Sequence, residues 1–538
     1  MNSRSKVMPD SLNPPNCRWG TLLPIFLMTL IAPFVGRAAA SPPNILFIYA
    51  DDLGYGDVAC YNPESKVPTP HLDRLATEGM LFTDAHSPST VCTPSRYSVM
   101  TGRMAFRLGY PGVFTGVQGP CLIAEDRLTL PELLRDSGYE TALFGKWHIG
   151  MTFFDRNGRP VYEQQSALEE KYGRRESGVP LVNLVDFSKP IAGGPLDHGF
   201  DQFYGTVCCP TTDWLYAFIE GDRIPTPPNR ILDREAEGLP AHPYSKDNRI
   251  GMLADGFDLQ EVDMVFLDKS RQFLEDHAGR KSEKPFFLFH SAQAVHLPSF
   301  PGRDFQGKTD AGPHGDFIFQ FDAIVGELMQ TLERLDLANN TLVIVTSDNG
   351  PEVNTSIHMR KDHDHNGSRP WRGMKRDQWE AGHRVPFIAR WPGKIPAGSV
   401  SEQTISQTDI MATCAELVGR ELPFNAAEDS YSIVPALLGT DAGAPIRPYT
   451  LHQTIRLELA IRQGDWKYLD HQGSGGNNYA TERLGLYALP DNAPSAPGQL
   501  YNLRKDPGET RNLYHEHPEV VERLKALLET SKRTGRSR

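Results

Sequence analysis

Short apolar runs recur along the chain, and each one stops at polar residues. "NILFIYA" at 44–50 is followed at once by Asp51 and Asp52, and "TLVIVTS" at 341–347 by Asp348, Asn349 and Gly350. "PFFLFH" at 285–290 leads through Ser291 and Gln293 to His296, and "ETALFG" at 140–145 leads to Lys146, Trp147 and His148. Continuous apolar runs of this length predict strands buried on both faces, as in a parallel sheet. Between them lie stretches of helical period, such as "HLDRLATEG" and "FDAIVGELMQTLERL". The pattern predicts an α/β fold with a large, mostly parallel sheet flanked by helices. In open sheets of this kind ligands bind beyond the carboxyl ends of the strands. The polar residues that close the four runs should therefore converge on one crevice, although they are scattered from residue 51 to residue 349.

The pattern changes after "GTDAGAPIRP" at 439–448, where short strand-like runs such as "LELAIRQGDWKYLD" precede a charged helical end, "PEVVERLKALLETSKR". That Pro/Gly-rich stretch predicts a boundary, with a main domain over 41–445 and a C-terminal subdomain over 446–538. Residues 151–284 separate two strand ends by more than a crossover needs, and include the aromatic-rich "FYGTVCCPTTDWLYAFIE". The segment reads equally as a subdomain core or as an insertion that shapes specificity, and no residue in it is singled out as catalytic. At the start, Arg4, Lys6 and Arg18 precede the uncharged run at 21–36, and Ala38-Ala39-Ala40 follows. This predicts a secretory signal peptide over 1–40. The apolar run is shorter than the ~20 residues of a membrane span, and no later stretch approaches that length. The expectation is an extracytoplasmic protein, periplasmic or secreted, without a stable membrane span.

A chain of 538 residues is more than one hydrophobic core usually serves. Its formal charge of −12 argues against general nucleic-acid binding. If the substrate is nevertheless an anion, positive charge must be concentrated in a few residues at the site. Beyond Cys17 in the leader, Cys60, Cys92, Cys121, Cys208, Cys209 and Cys414 are too few for a disulfide scaffold. The vicinal pair Cys208-Cys209 reads as two buried small residues.

Asp51, Asp52, Asp348 and Asn349 offer only oxygen ligands, which suits a hard cation, calcium or magnesium. His358, His363 and His365 fit no closed zinc site and read as a polar loop near the pocket. Cys92 lies in "VCTPSRYSVMTGR", where Thr93 as N-cap and Pro94 in the first turn would put the thiol at the positive end of a helix. A cysteine-phosphatase cradle places five residues between Cys and Arg. Here three separate Cys92 from Arg96.

Cys92-Thr93-Pro94-Ser95-Arg96 resembles the C-x-P-S-R signature of type I sulfatases, in which the cysteine is oxidised to formylglycine. The resemblance continues through "PNILFIYADDLGYGD", "GKWHIG", "HGFDQFYG", "TSDNG" and "RGMKRDQWEAGHRVPFIARWPG" to "QLYNLRKDPGETRNL", essentially the whole chain after the leader. It implies an alkaline-phosphatase-like sheet with a small C-terminal antiparallel sheet and helix beside it. It also implies a cation, usually Ca2+ with Mg2+ as alternative, on Asp51, Asp52, residue 92, Asp348 and Asn349. Arg96 would orient residue 92, Lys146 and Lys375 would hold sulfate oxygens, His148 would serve as base, and His296 would face the leaving-group oxygen. A formylglycine-generating enzyme is the implied maturation partner. A hydrated aldehyde has two hydroxyls, one to attack sulfur with help from the metal and one whose deprotonation expels sulfate. One departure is "WEAGHRVP", with Ala381 where the family usually has glycine; His383 in that loop reads as solvent-exposed. The expected function is removal of sulfate from a sulfated carbohydrate. A phosphoester or phosphonate hydrolase of the same fold, and a non-catalytic binder of sulfated glycans, are the alternatives.

Overall fold

The Asn44–Ala50 strand has two covered faces, which explains why all seven of its residues are apolar or buried. Ile45, Phe47 and Tyr49 point to one side, into a cluster with Tyr97, Val99, Ile410 and Cys414. Leu46 and Ile48 point to the other and pack with Phe317, Phe321, Ile324 and Leu328. Each such side chain contributes roughly 1.5–3 kcal/mol on full burial. The computed structural model describes residues 42–246 and 249–538; the expected signal peptide lies outside them.

This strand is central in a nine-stranded mixed sheet. Thr341–Ser347 pairs with it in parallel on one side and Phe286–Ser291 on the other. Glu140–Lys146 and then Gln202–Thr206 continue the parallel array. Phe387–Arg390 runs antiparallel beyond Thr341–Ser347. Five adjacent strands thus end at the same edge. Gly145, at φ 122°, sits where a Cβ would come 1.8 Å from the Ser291 carbonyl oxygen. Only glycine allows the two strands to close up there, directly before Lys146.

The helix Gly312–Arg334 begins well before the predicted "FDAIVGELMQTLERL", because Phe317 and Ile318 extend its buried stripe. The helix carrying Cys92 spans Cys92–Thr101, with all ten residues buried. Its N-cap is Val91, in extended conformation, not Thr93 as the sequence suggested, and Cys92 is its first residue. Pro94, the third residue, occupies a position whose N–H has no intrahelical acceptor. Gly102 ends the helix at φ 62°.

A separate four-stranded antiparallel sheet follows, in the order Thr450–Gln453, Leu459–Gln463, Trp466–Leu469, Gln499–Asn502. The Pro518–Thr534 helix covers it, packing Val521, Leu524 and Leu528 with Leu451, Ile461, Tyr468 and Leu500. Pro42–Arg538 form one compact unit. Among the described residues no helix is long and apolar enough to cross a membrane.

Candidate active site

The four predicted strand ends do meet. Asp51 and Asp52 follow the central strand, Asp348 and Asn349 follow its neighbour, and Lys146 closes the Glu140–Lys146 strand. Asp52 and His148 adopt left-handed backbone, at φ 65° and 61°. For residues with a Cβ this costs roughly 1–3 kcal/mol each, and it persists because the surroundings over-determine it. The Asp52 N–H donates to Asp348 Oδ1 at 3.2 Å, and the Leu53 N–H to Ser347 Oγ at 2.9 Å.

Three carboxylates face three cations in this buried space. Arg96 donates to Asp348 Oδ2 from Nε at 3.0 Å, and its terminal nitrogen forms an ion pair with the same oxygen at 2.9 Å. It also reaches the Lys146 carbonyl and Ser291 Oγ, at 3.1 and 2.7 Å. Lys146 pairs with Asp51, and Lys375 with Asp52 at 2.6 Å. Burial raises Asp52 and Asp348 above the usual carboxylate range. For Asp51 burial acts in the same direction, but Lys146, His296 and Arg96 outweigh it and hold this carboxyl well below that range.

The donors for a hard cation fit. Asp51 Oδ1 and Asn349 Oδ1 are buried and have no hydrogen-bond partner among the described residues. Ligand atoms of Asp51, Cys92 and Asp348 lie within 4.8 Å of one another. Asp52 is drawn into the same group by Asn349 Nδ2, which donates to its Oδ1 at 2.7 Å. Two orphaned oxygens beside desolvated carboxylates are an oxygen-rich set that a divalent cation would satisfy.

Cys92 is 2% exposed. A hydrogen bond from Cys209 holds its thiol well below the usual value, against burial and with help from Lys146, Lys375 and His148. His148 Nε2 lies 2.9 Å from the Phe114 carbonyl. A carbonyl only accepts, so Nε2 carries the proton and Nδ1 keeps its lone pair. Burial, followed by Lys146, keeps His148 neutral by lowering its pKa. His296 likewise places Nδ1 against the Leu297 carbonyl at 2.5 Å. Burial and then Lys375 push it down to about 3.

Two site residues escaped the sequence reading. Cys209 Sγ lies 3.9 Å from His148 Nδ1 and 3.7 Å from His296 Nε2, between the two expected acid–base groups. It follows a fifth parallel strand, Gln202–Thr206, whose glycine and polar ends hid it from a search for apolar runs. Both Cys208 and Cys209 are buried free thiols, as expected. Glu352 lies 3.7 Å from Lys375 and 2.9 Å from Arg376. Two further expectations fail. His383 is completely buried rather than solvent-exposed, because the Glu380–Gly382 turn folds under the C-terminal sheet, where Lys467 reaches His383 Nε2 at 3.1 Å. The three histidines of 358–365 do not form a loop. His358 and His363 lie on the Val353–His363 helix, and His365 is buried, 2.7 Å from Asp57.

The Sulfatase family model matches residues 43–420. The chain is 34% identical over 501 residues to an N-acetylgalactosamine-6-O-sulfatase of Bacteroides thetaiotaomicron, covering 91% of this chain and 93% of that protein. It is 34% identical over 508 residues to human arylsulfatase A (93% and 89% covered) and 31% identical over 546 residues to human steryl-sulfatase (92% and 88%). A solved structure concerned with the metabolism of glycosaminoglycans by Bacteroides thetaiotaomicron superposes with TM-score 0.75 at 30% identity, covering 92% of this chain and 100% of that one. A sulfatase from Pseudoalteromonas sp. gives 0.66 at 27% identity, with 92% and 91% covered.

Proposed function

Because this chain belongs to the sulfatase family, we propose that its hydrolysis of sulfate esters runs through formylglycine at position 92 and a bound calcium ion, on sulfated carbohydrates outside the cytoplasm. One placement supports this above all. Residue 92 opens a buried helix where two orphaned oxygens, three carboxylates and three cations meet.

Calcium, or magnesium as alternative, supplies Lewis acidity and two positive charges at the Asp51, Asp52, Asp348 and Asn349 oxygens. A hydrated aldehyde at residue 92 supplies two hydroxyls where a serine has one. The chain's own residues do the rest. Without the cation the carboxylates of Asp51, Asp52 and Asp348 are balanced by Arg96, Lys146 and Lys375. With it a surplus of positive charge is available to hold a sulfate monoester anion, which Lys146 and Lys375 are placed to share. Arg96 fixes Asp348 through two nitrogens and cannot move without breaking four contacts. His148, neutral and with Nδ1 unprotonated, is the group fit to take a proton at residue 92. His296 is also neutral, and an arriving anion raises its proton affinity, which suits it to deliver a proton to the departing alcohol oxygen.

The carbohydrate assignment rests on polar groups flanking Lys375, including Arg376, Glu352 and Asn477, which donates to the Lys375 carbonyl at 2.9 Å. Such groups match hydroxyls better than a sterol skeleton. The sugar named for the Bacteroides relative agrees in kind. The decisive experiment compares kcat/KM on a sulfate and a phosphate ester of one leaving group, then on sulfated oligosaccharides and a steroid sulfate, using protein co-produced with a formylglycine-generating enzyme. Faster phosphate cleavage would establish the phosphoester reading instead. Tight binding of sulfated glycans without turnover, with aldehyde absent from residue 92, would establish a binder.

A further inference from the structure

The long segment 151–284, in which the sequence marks no catalytic residue, contains the helix Val262–Gly279, whose second residue, Asp263, is 1% exposed. A carboxylate in the first turn of a helix is favoured by the helix dipole. Here it also holds a neighbouring segment. Asp263 Oδ1 accepts the Gln293 N–H at 2.7 Å, and Oδ2 accepts the Ala294 N–H at 3.0 Å and Gln320 Nε2 at 3.4 Å. Among the described residues neither N–H has another acceptor. Buried N–H groups are rarely left unpaired, so the carboxylate and this stretch of backbone fix each other.

Gln293 and Ala294 belong to the turn that carries the chain from the Phe286–Ser291 strand to His296. One anchor of this turn is the main chain of Asp51, whose N–H donates to the Ala294 carbonyl at 3.0 Å and whose carbonyl accepts the Val295 N–H at 2.7 Å. Asp263 is the other. Gln293 passes the second anchor on to His296: its carbonyl accepts the His296 N–H at 2.9 Å, and its Nε2 reaches the His296 carbonyl at 3.4 Å and Thr211 Oγ1 at 2.7 Å. The imidazole has Nδ1 on the carbonyl of the next residue, Leu297, so ring and turn move together. Nε2 points the other way, 3.7 Å from Asp52 Oδ2 and 3.7 Å from Cys209 Sγ.

We propose that Asp263 is a positioning residue for desulfation: without touching substrate or cation, its carboxylate fixes the turn that aims His296 Nε2 at the leaving-group oxygen. This rests on the reading of His296 as the proton donor. Asp263→Asn keeps the shape of the side chain but replaces one acceptor by an NH2 group facing an N–H, so the turn must shift. A misplacement of about 1 Å can cost ~10²-fold in rate, and general acid catalysis is itself worth ~10²–10⁴-fold. The loss should fall on esters whose leaving group needs a proton. Nitrophenolate departs without one, whereas phenolate and methoxyphenolate depart with its help.

The test measures kcat/KM of the aldehyde-bearing full chain in excess Ca2+ on nitrophenyl, phenyl and methoxyphenyl sulfate. Asp263→Asn should lose roughly 10²-fold on the methoxyphenyl ester and no more than about 3-fold on the nitrophenyl ester. A merely structural defect, which lowers the fraction of active protein, would cut all three alike. His296→Ala should show the same selective loss, and adding Asp263→Asn to it should cost little more, because aim no longer matters once the donor is gone. Equal losses on the three esters in Asp263→Asn, or none, beside a selective loss in His296→Ala, overturn the role of Asp263 alone. Equal losses in His296→Ala overturn His296 as donor and the role of Asp263 with it. Should Asp263→Asn fail to fold, Asp263→Glu, which keeps both acceptors but moves them by a methylene, must show the selective loss; an equal loss or none overturns the proposal.

Discussion

At residue 92 the proposed chemistry depends on atoms that cysteine itself does not have. Mass spectrometry of the peptide containing residues 91–96 should show aldehyde in place of thiol when the modifying enzyme is present, and the aldehyde fraction should track specific activity. Cys92→Ser should lose turnover by several orders of magnitude, because a single hydroxyl can accept sulfate but has no second one to expel it; single-turnover kinetics with a trapped sulfo-enzyme would show this. The proposed metal ligands make a parallel case. Asp348→Ala would remove a proposed cation ligand together with the hydrogen bond from Arg96 Nε and the ion pair to its terminal nitrogen. Breaking a buried pair on one side typically costs about 3–5 kcal/mol. Activity should vanish and chemical denaturation should show the loss, whereas chelation of the parent protein should abolish activity reversibly, with calcium restoring it.

At the level of strands and helices, the C-terminal helix holds its sheet through a narrow apolar stripe. Leu524→Ala should destabilise the protein by about 2–5 kcal/mol, read from urea or thermal unfolding, since Leu524 is fully buried against the four-stranded sheet. The Phe286–Ser291 strand makes unfolding sensitive to pH. Burial pushes His290 down to about 3, while an unfolded histidine titrates near 6.5. Below pH 6.5 the unfolded chain takes up a proton that the folded chain refuses, so stability falls as pH drops. The slope from this group is about 1.4 kcal/mol per pH unit down to its folded pKa, and His290→Gln should remove it. The parallel strands were legible in the sequence because burial on both faces forces continuous apolar runs, and Asp51, Lys146 and Asp348 were legible as the polar residues that interrupt them. Cys209 was not, because its strand contains Gly205 and lies nearer the sheet edge, where the continuous apolar run breaks up. His383 was misjudged because burial of a polar side chain depends on the C-terminal sheet that covers it, and local sequence carries no trace of that.

Across the whole molecule, an acidic body surrounds a crevice whose three carboxylates are matched by three cations, so that a divalent ion bound there as proposed would leave it cationic. The formal charge is −12, yet Arg96, Lys146 and Lys375 are gathered at one point. A monosulfated sugar small enough to enter feels mainly the crevice, while a long sulfated polymer is repelled by the rest of the surface. Added salt shortens the screening length from ~10 Å at 0.1 M to ~3 Å at 1 M. The kcat/KM of a polymer should therefore rise with moderate salt while that of a monosaccharide stays flat or falls. A parallel salt dependence for both would show that the net charge plays no part in selecting substrate size.

The order in which the chain leaves the ribosome sets a clock on the site. Arg96 and Asp348, which seal the helix start over residue 92, are 252 residues apart in sequence. Until the later segment has been made, the Thr341–Ser347 strand cannot dock beside Asn44–Ala50, and the cysteine remains within reach of an enzyme. At 5–20 residues per second that interval lasts roughly 10–50 s. Once the strand docks, the side chain is 2% exposed and access ends. Slowing synthesis or docking should raise the oxidised fraction, and a culture that outruns its modifying enzyme should accumulate folded but permanently inert protein.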